Sequence, residues 1–334
     1  METTGTATGL MKAVVSRSYG PPESVAIEQI AKPVPGANQV LVRNYASVVT
    51  AAVVEARRGP LMARLYFGLT KPKWTVLGTN FAGTVETVGS SVTRFTVGDR
   101  VAGVNVVNFG AHAEYMVAPE DGVITVTPPR LSDVEAVAVF DGSITALPFL
   151  RDRAQLGAGQ SILINGAAGA VGSAAVQLAK YYGAHVTAVC STGNVEAVKS
   201  LGADVVIDYT AEDFTDARNA YDVIFDAVGK GSFARGRRAL KRYGLYLTTV
   251  PSLGILTRML WTSRFGRKKA AIVFTGLAKP EEMAKNLVFL GNLAESSALV
   301  PFIGQSHPMV DAAKSHRHVE TGHKRGSAVI TFGG

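Results

Sequence analysis

The pattern of apolar and polar positions changes character near Val134. Before it, short runs either alternate or are wholly apolar: "KAVVSR", "QVLVRNYAS", "AGTVETVG", "FTVGDRVAGV" and "HAEYMVAP". Gly, Pro and Asn separate them, with Gly98-Asp99 as a turn and Pro119 closing the last, which predicts a series of strands. Within this part "SVVTAAVVEARRG" (47–59) reads as a short helix closed by Arg57, Arg58 and Gly59. Its apolar face is expected to serve both as packing and as the wall of a pocket.

From 134 onward the spacing becomes helical. "SDVEAVAVFDGSITALPFLRD" opens with Ser132 or Asp133 as a candidate N-cap and Glu135 early in the helix. Strands and helices then alternate. "SILING", "HVTAVC", "DVVIDY", "DVIFDAVG" and "YLTTVPS" read as strands, and "AVGSAAVQLAKYYG" and "NVEAVKSLG" as helices ending at Gly183 and Gly202. Alternation at this spacing predicts a parallel, doubly wound sheet. After Pro280 come a helix ("EEMAKNLVFLGNLAESS"), a short strand at "LVPFIG", a helix near "MVDAAKSHRHV" and a last strand, "SAVITF". The early β part and this tail are expected to form one domain, 11–135 with 277–334, around an inserted α/β domain, 136–276.

Composition adds limits. A chain of 334 residues is long for one core, and 47% hydrophobic against 18% charged residues supplies a large interior. The net charge of +8 concentrates in "ARGRRALKRYG" and "TRMLWTSRFGRKKAA". Neither stretch has the aromatic interleaving of a single-strand binder or a zinc-finger or helix-turn-helix pattern, so no nucleic-acid partner is expected. One cysteine, Cys190, permits no disulfide within the chain and fits a reducing, cytoplasmic setting. The first ten residues show neither a basic nor an apolar region of a secretory signal and read as a flexible extension before Met11.

"SILINGAAGAVGSAAVQLAK" carries the most chemistry. An apolar strand feeds a glycine-rich turn that opens a helix, and helix N-termini present free N–H groups and a positive dipole end to a pyrophosphate. Gly169 allows backbone approach and Gly172 allows the helix to pack on the strand, although Ala167 takes the place of the usual first glycine. The next strand ends at Cys190-Ser191-Thr192, without the acid that holds the ribose hydroxyls of NAD. The hydroxyls, with Asn194, Lys199 and Tyr209 nearby, can meet a 2′-phosphate without repulsion, which points to NADPH. Ser191 and Thr192 are equally placed to cap the following helix.

These stretches, with "VLGTNFAGTVETVGSSVTRFTVGDRVAG", "GAHAEYMVAP", "SLGADVVIDY" and "HVETGHKRGSAVIT", make the chain resemble the zinc-free quinone oxidoreductase branch of the medium-chain dehydrogenase/reductase superfamily, from about Met11 to Phe332. The resemblance implies a GroES-like catalytic domain around an inserted Rossmann domain, with the active site between them. It implies metal-free, NADPH-dependent reduction of quinones or α,β-unsaturated carbonyl compounds by a homodimer. By position, Ala168, Gly169, Ala170, Val171 and Gly172 would hold the pyrophosphate. Ser191, Thr192, Asn194 and Tyr209 would surround the 2′-phosphate, and Val228 and Gly229 would border the nicotinamide ribose. Thr145, Val250 and Pro251 would lie near the nicotinamide, and Lys324 near the active site. The sequence departs from its relatives at Gly193-Asn194, where they often carry a basic residue. It departs again at Asn80, where they usually have an acid, and at Thr50 and Val53, where they commonly show Asn and Asp.

A metal-dependent cousin would need cysteine and histidine ligands in the amino-terminal part, 11–135, which has no cysteine and only His112. The histidines at 307, 316, 318 and 323 fit the family's tail and lack a completing carboxylate. Hydride transfer to a quinone or enone needs little acid–base help, so a pocket offering Thr50, Tyr66, Asn80 and Thr145 to a small hydrophobic acceptor is compatible with it. Thr50 also reads as a helix cap and Tyr66 as a packed aromatic. "LGILTRMLWTSRFGRKKAAIVF" reads either as a substrate-covering loop leading into an edge strand that pairs across a dimer, or as a peripheral contact with anionic lipid. The functional alternatives are a nucleotide-binding protein whose redox chemistry is lost or secondary, and a specialised biosynthetic reductase with an altered pocket.

Overall fold

The computed structural model describes residues 9–61, 63–105 and 107–333. Residues 1–8, most of the expected N-terminal extension, lie outside the described residues. The first strand begins at Leu10, one residue ahead of Met11. In chain order the elements are β1 Leu10–Ser16, β2 Val25–Ala31, β3 Gln39–Val48, α1 Ala51–Arg58, α2 Arg64–Phe67, β4 Asn80–Val88, β5 Arg100–Val104, β6 Tyr115–Pro119, β7 Ile124–Val126 and α3 Asp133–Leu147. Then follow β8 Ser161–Asn165, α4 Ala170–Tyr181, β9 His185–Cys190, α5 Val195–Ser200, β10 Val205–Asp208, β11 Tyr221–Asp226, α6 Phe233–Gly236, β12 Leu240–Thr248, α7 Leu253–Arg264 and β13 Lys269–Ile272. The tail holds α8 Pro280–Glu295, β14 Ile303–Pro308, α9 Ala312–Glu320 and β15 Ser327–Thr331. The chain divides into two compact units. The first comprises the described residues of Met1–Asp141 with Lys279–Ser296 and Ile303–Gly334, and the second Gly142–Ala278 with Ser297–Phe302.

The first unit is the GroES-like one. Its main sheet runs β14-β15-β3-β4-β5-β7, with β6 on the amino-terminal half of β3, and β1 and β2 form a separate antiparallel pair. The carboxyl end of β3 pairs with β15, Ala46–Val48 against Val329–Thr331, so the last strand of the chain completes a sheet begun by the third. Thr50 caps α1 by accepting from the Val53 amide (3.1 Å), and Gly59 ends the helix in the left-handed region (φ 58). A Cβ at Gly59 would also lie 2.1 Å from the Tyr19 ring, so glycine is required there twice over. Val53 is fully buried in a cluster with Val14, Val49, Leu77, Phe109 and Ile330. The expectation that Val53 lines a pocket is therefore corrected: the apolar face of α1 is core, and Ala51, Ala52 and Arg58 are its exposed positions.

The second unit is a six-stranded parallel sheet in the order β10-β9-β8-β11-β12-β13, the Rossmann arrangement. Strand order reverses between β8 and β11, and in such sheets ligands bind beyond the carboxyl ends of the strands at that point. Ser132 and Glu135 form a capping box on α3: the Ser132 amide donates to the Glu135 carboxylate (2.8 Å) and the Glu135 amide to the Ser132 hydroxyl (3.3 Å).

Two expectations about elements are corrected. "LVPF" at 299–302 is not a strand. Gln177 of α4 holds it instead, donating to the Val300 carbonyl (3.1 Å) and accepting from its amide (2.7 Å), and the strand starts only at Ile303. The stretch read as a loop at 253–265 is the twelve-residue helix α7, capped by Ser252, whose hydroxyl accepts from the Ile255 amide (3.2 Å).

Candidate active site

The phosphate loop lies at the carboxyl end of β8. Gly166 turns the chain at φ 80, and the amides of Gly166 and Ala167 donate to the Val189 carbonyl of β9 (3.1 and 3.0 Å). Gly169 then caps α4, whose first N–H groups have no intrahelical partner. The glycines differ in what surrounds them. A Cβ on Gly172 would sit 2.1 Å from the Gly166 carbonyl oxygen, so that residue sets how closely the helix meets the turn. A Cβ on Gly142, in α3, would sit 1.9 Å from the Ala170 carbonyl oxygen. At Gly169 the nearest protein atom would be 3.6 Å away, which leaves space at the helix start. An open glycine between two that cannot carry a side chain fits a pyrophosphate against backbone N–H groups.

Asp226 organises the other rim. It ends β11, is buried, and accepts from Asn165 Nδ2 (3.0 Å), from the amides of Val228 (3.3 Å), Gly229 (3.0 Å) and Gly231 (2.8 Å), and from the Tyr246 hydroxyl (2.9 Å). Burial, with the neighbouring carboxylate, pushes the Tyr246 hydroxyl far up, so it stays a proton donor. These bonds place Val228 beside Gly166 and Gly229 beside Val250: a Cβ added at either glycine would touch the facing valine, at 2.4 and 2.5 Å. Thr145, half-buried on α3, is one turn beyond Gly142. The structure thus brings together the loop from Ala168 to Gly172 with Val228, Gly229 and Val250. Asp226 and Gly142 escaped the sequence reading. Their signals were an acid ending an apolar strand before a glycine, and a glycine inside a helix.

The residues expected around the adenosine phosphate, Ser191, Thr192, Asn194 and Tyr209, follow β9 and β10. Asn194 Nδ2 donates to the Ser191 hydroxyl (3.0 Å), and the Tyr209 amide donates to the Cys190 carbonyl (3.0 Å). The Thr192 hydroxyl pairs with that of Thr210 (3.1 Å), which donates to Asp208 (2.7 Å). The Thr192 and Thr210 hydrogen bonds hold the Asp208 carboxyl below the usual range. An acid therefore stands in this group after all, on the third strand of the crossover rather than the second. Lys199, expected near a 2′-phosphate, instead pairs with Glu196 on its own helix (3.0 Å).

In the first unit the candidate residues separate. Thr50 is half-buried and serves as the α1 cap. Tyr66 is 59% exposed, its ring against Phe67 (5.1 Å) and Trp74 (5.7 Å), with Trp74 stacked on Phe109 (5.0 Å). Asn80 is buried; its Oδ1 accepts from the Thr79 hydroxyl (2.7 Å), and its Nδ2 is sealed without a hydrogen-bond partner. At 3% exposure its side chain is closed to solvent. Lys324 lies 3.8 Å from the Asp141 carboxylate, which also accepts from Ser327 (2.9 Å). Both His112 and His316 are fully buried, their rings 5.9 Å apart, and burial pushes them down to about 4 and about 2. Neither can act as an acid near neutral pH.

The donor set does not fit zinc. The single cysteine ends β9 in the second unit, with burial pushing its thiol up to about 11. Among the described residues no group of three His, Cys, Asp or Glu side chains could hold a metal.

Residues 36–128 match the alcohol dehydrogenase GroES-like domain and residues 201–330 the family described as zinc-binding dehydrogenase. The chain is 31% identical to the chloroplast envelope quinone oxidoreductase homolog of Arabidopsis thaliana, over 96% of this chain and 98% of that one. It is 38% identical to the NADPH-dependent alkenal/one oxidoreductase, chloroplastic, of the same plant, over 66% of this chain but spanning only 58% of that longer protein. Among solved structures, the quinone oxidoreductase of Coxiella burnetii superposes with a TM-score of 0.86 at 27% identity, covering 97% of this chain and 100% of that one. A relative matched from end to end above 30% identity, over a fold shared with an enzyme of like description and a donor set unsuited to zinc, makes this chain an oxidoreductase of the zinc-free quinone oxidoreductase branch of the medium-chain dehydrogenase/reductase superfamily.

Proposed function

We propose that the chain uses NADPH to reduce a small hydrophobic quinone or α,β-unsaturated carbonyl compound. The observation that carries this reading is the open backbone at Gly169, flanked by Gly142 and Gly172, at the start of α4. The preference for NADPH is supported by the absence of an acid after β9, by the Ser191 and Asn194 side chains there, and by the naming of a relative as NADPH-dependent. Asp208 is the counter-argument, tempered by its hydrogen bonds to two threonine hydroxyls.

When bound, the reduced nicotinamide supplies the hydride. The Ala168–Gly172 backbone would hold the pyrophosphate, and the Asp226-organised loop at Val228 and Gly229 would position the ribose beside it. A hydroxyl has one proton and two lone pairs, so Thr50, which caps α1 with a lone pair, keeps its proton to donate to an acceptor oxygen. Tyr66 offers an exposed ring for a planar acceptor. A simple ketone would need a stronger acid than these groups supply, whereas an enolate or hydroquinone oxygen does not.

The test is binding of NADPH against NADH, followed by turnover on 1,4-quinones and 2-alkenals. NADPH is expected to bind at least about tenfold more tightly, a difference of about 1.4 kcal/mol, and to be oxidised steadily with at least one acceptor. Tight binding with no turnover on any of them would leave a nucleotide-binding protein.

A further inference from the structure

Between Asp226 and Glu281 the chain carries twelve lysines and arginines and no aspartate or glutamate. The whole chain nets +8, so everything outside this segment nets −4. Two ion pairs, Arg235–Asp213 and Lys241–Asp222, neutralise part of it. At the amino ends of β11, β12 and β13, opposite the strand ends that carry the nucleotide site, a cavity of about 360 Å³ is lined by Asn219, Arg237, Arg242, Arg267 and Lys268. No acid lines it. Lys268 is fixed in place by donating to the carbonyls of Arg237 (2.8 Å) and Leu240 (2.6 Å), and burial and the Arg237 charge lower its pKa. Four cations around one hollow are a site for an anion.

Helix α7 runs directly into this hollow and is apolar on two faces. Ile255 and Leu256 pack on the sheet, and the buried Thr262 hydroxyl accepts from the Ala270 amide of β13 (3.1 Å). The outward stripe is Leu253, Leu260, Trp261 and Phe265, 83%, 70%, 53% and 60% exposed, flanked by Arg258 and Arg264. Large apolar side chains at this exposure beside unneutralised arginines are the composition of a surface that lies in a bilayer interface.

We propose that this face docks on an anionic lipid bilayer, with a lipid phosphate in the Arg237–Arg242–Arg267–Lys268 hollow and Leu260, Trp261 and Phe265 in the interfacial layer. The charge selects the occupant. A second copy offering the same face would set like charges against each other with no acid in the segment to answer them. A nucleic acid would answer the charge but leave the apolar stripe in water.

The experiment is flotation of the full chain with vesicles of phosphatidylcholine, with and without about 30 mol % phosphatidylserine, at about 0.1 M and 0.5 M salt. Binding is expected only with the anionic vesicles, falling about tenfold at the higher salt. Arg242→Glu with Arg267→Glu, and separately Trp261→Ser with Phe265→Ser, should each lower the partition at least about tenfold with unchanged melting temperature. Trp261 emission, read in a Trp74→Phe background, should shift to the blue on anionic vesicles. Absence of anionic-vesicle binding, or variants that bind like the parent, overturns the proposal. So does a shift from dimer to monomer in sedimentation on changing the stripe, which would give the face to a second copy. An oligonucleotide that displaces the vesicles while the serine pair binds them normally would give it to nucleic acid.

Discussion

Val53 shows how one side chain decides between packing and function. It has no exposed surface and packs in an apolar cluster, so an acid there would be buried among apolar side chains. Val53→Asp is expected to cost about 3 kcal/mol or more, seen as a large drop in the urea midpoint before any change in acceptor preference. Gly169→Ala makes the opposite prediction. Its φ of −79 suits alanine and its Cβ would meet only one protein atom at ordinary contact, so stability should be unchanged. The methyl would occupy the space left for a pyrophosphate, and NADPH affinity should fall by about 10- to 100-fold, or about 1.4 to 2.7 kcal/mol, in a fluorescence titration. His112 and His316 carry a pH signature. Both are kept neutral in the fold by burial, whereas an unfolded histidine protonates near 6.5. Their contribution to stability is complete above that value and is lost as pH falls through the window down to about 4 for His112 and further for His316. At pH 5 the loss should be about 2 kcal/mol for each. Urea midpoints at pH 8 and pH 5 measure it, and His316→Leu should remove its share.

At the scale of elements, the caps and turns were the legible part. Ser132 with Glu135, Thr50 before α1, and Gly59, Gly183 and Gly202 after their helices act within a few residues of themselves, so the sequence pattern carries them. The glycine-rich loop was legible for the same reason. What escaped depends on contacts distant in sequence. Gly142 matters because Ala170 lies against it, and 299–302 are drawn off the following strand by Gln177. Asp208 comes beside the end of β9 only through the parallel pairing of β10 with β9. α7 hid because apolar residues on both faces blur the helical period. From this follows a contrast with Gly169→Ala: Gly172→Ala must move backbone, costing about 1–3 kcal/mol in stability together with nucleotide affinity. Asp226→Ala leaves three loop amides without their acceptor and should raise the KM for NADPH more than it lowers kcat.

For the molecule as a whole, a nucleotide that binds only the folded chain must stabilise it. NADPH at a hundred times its Kd should add about 2.7 kcal/mol, visible as a rise in melting temperature that Gly169→Ala, at the same NADPH concentration, cuts to between about 0.4 and 1.4 kcal/mol. The chain's order matters in another way. β3 cannot complete its sheet until β15 is present, and the buried Arg57 guanidinium waits for Glu320 (2.7 Å) while also donating to the Gly20 carbonyl. Strands and cores that depend on contacts so distant along the chain form late. The second unit needs nothing beyond Phe302. In the order of synthesis the inserted domain is therefore complete while its host still lacks its final helix and its last two strands. Expressed as a chain ending at residue 302, the protein should yield a protease-resistant core from the nucleotide unit alone.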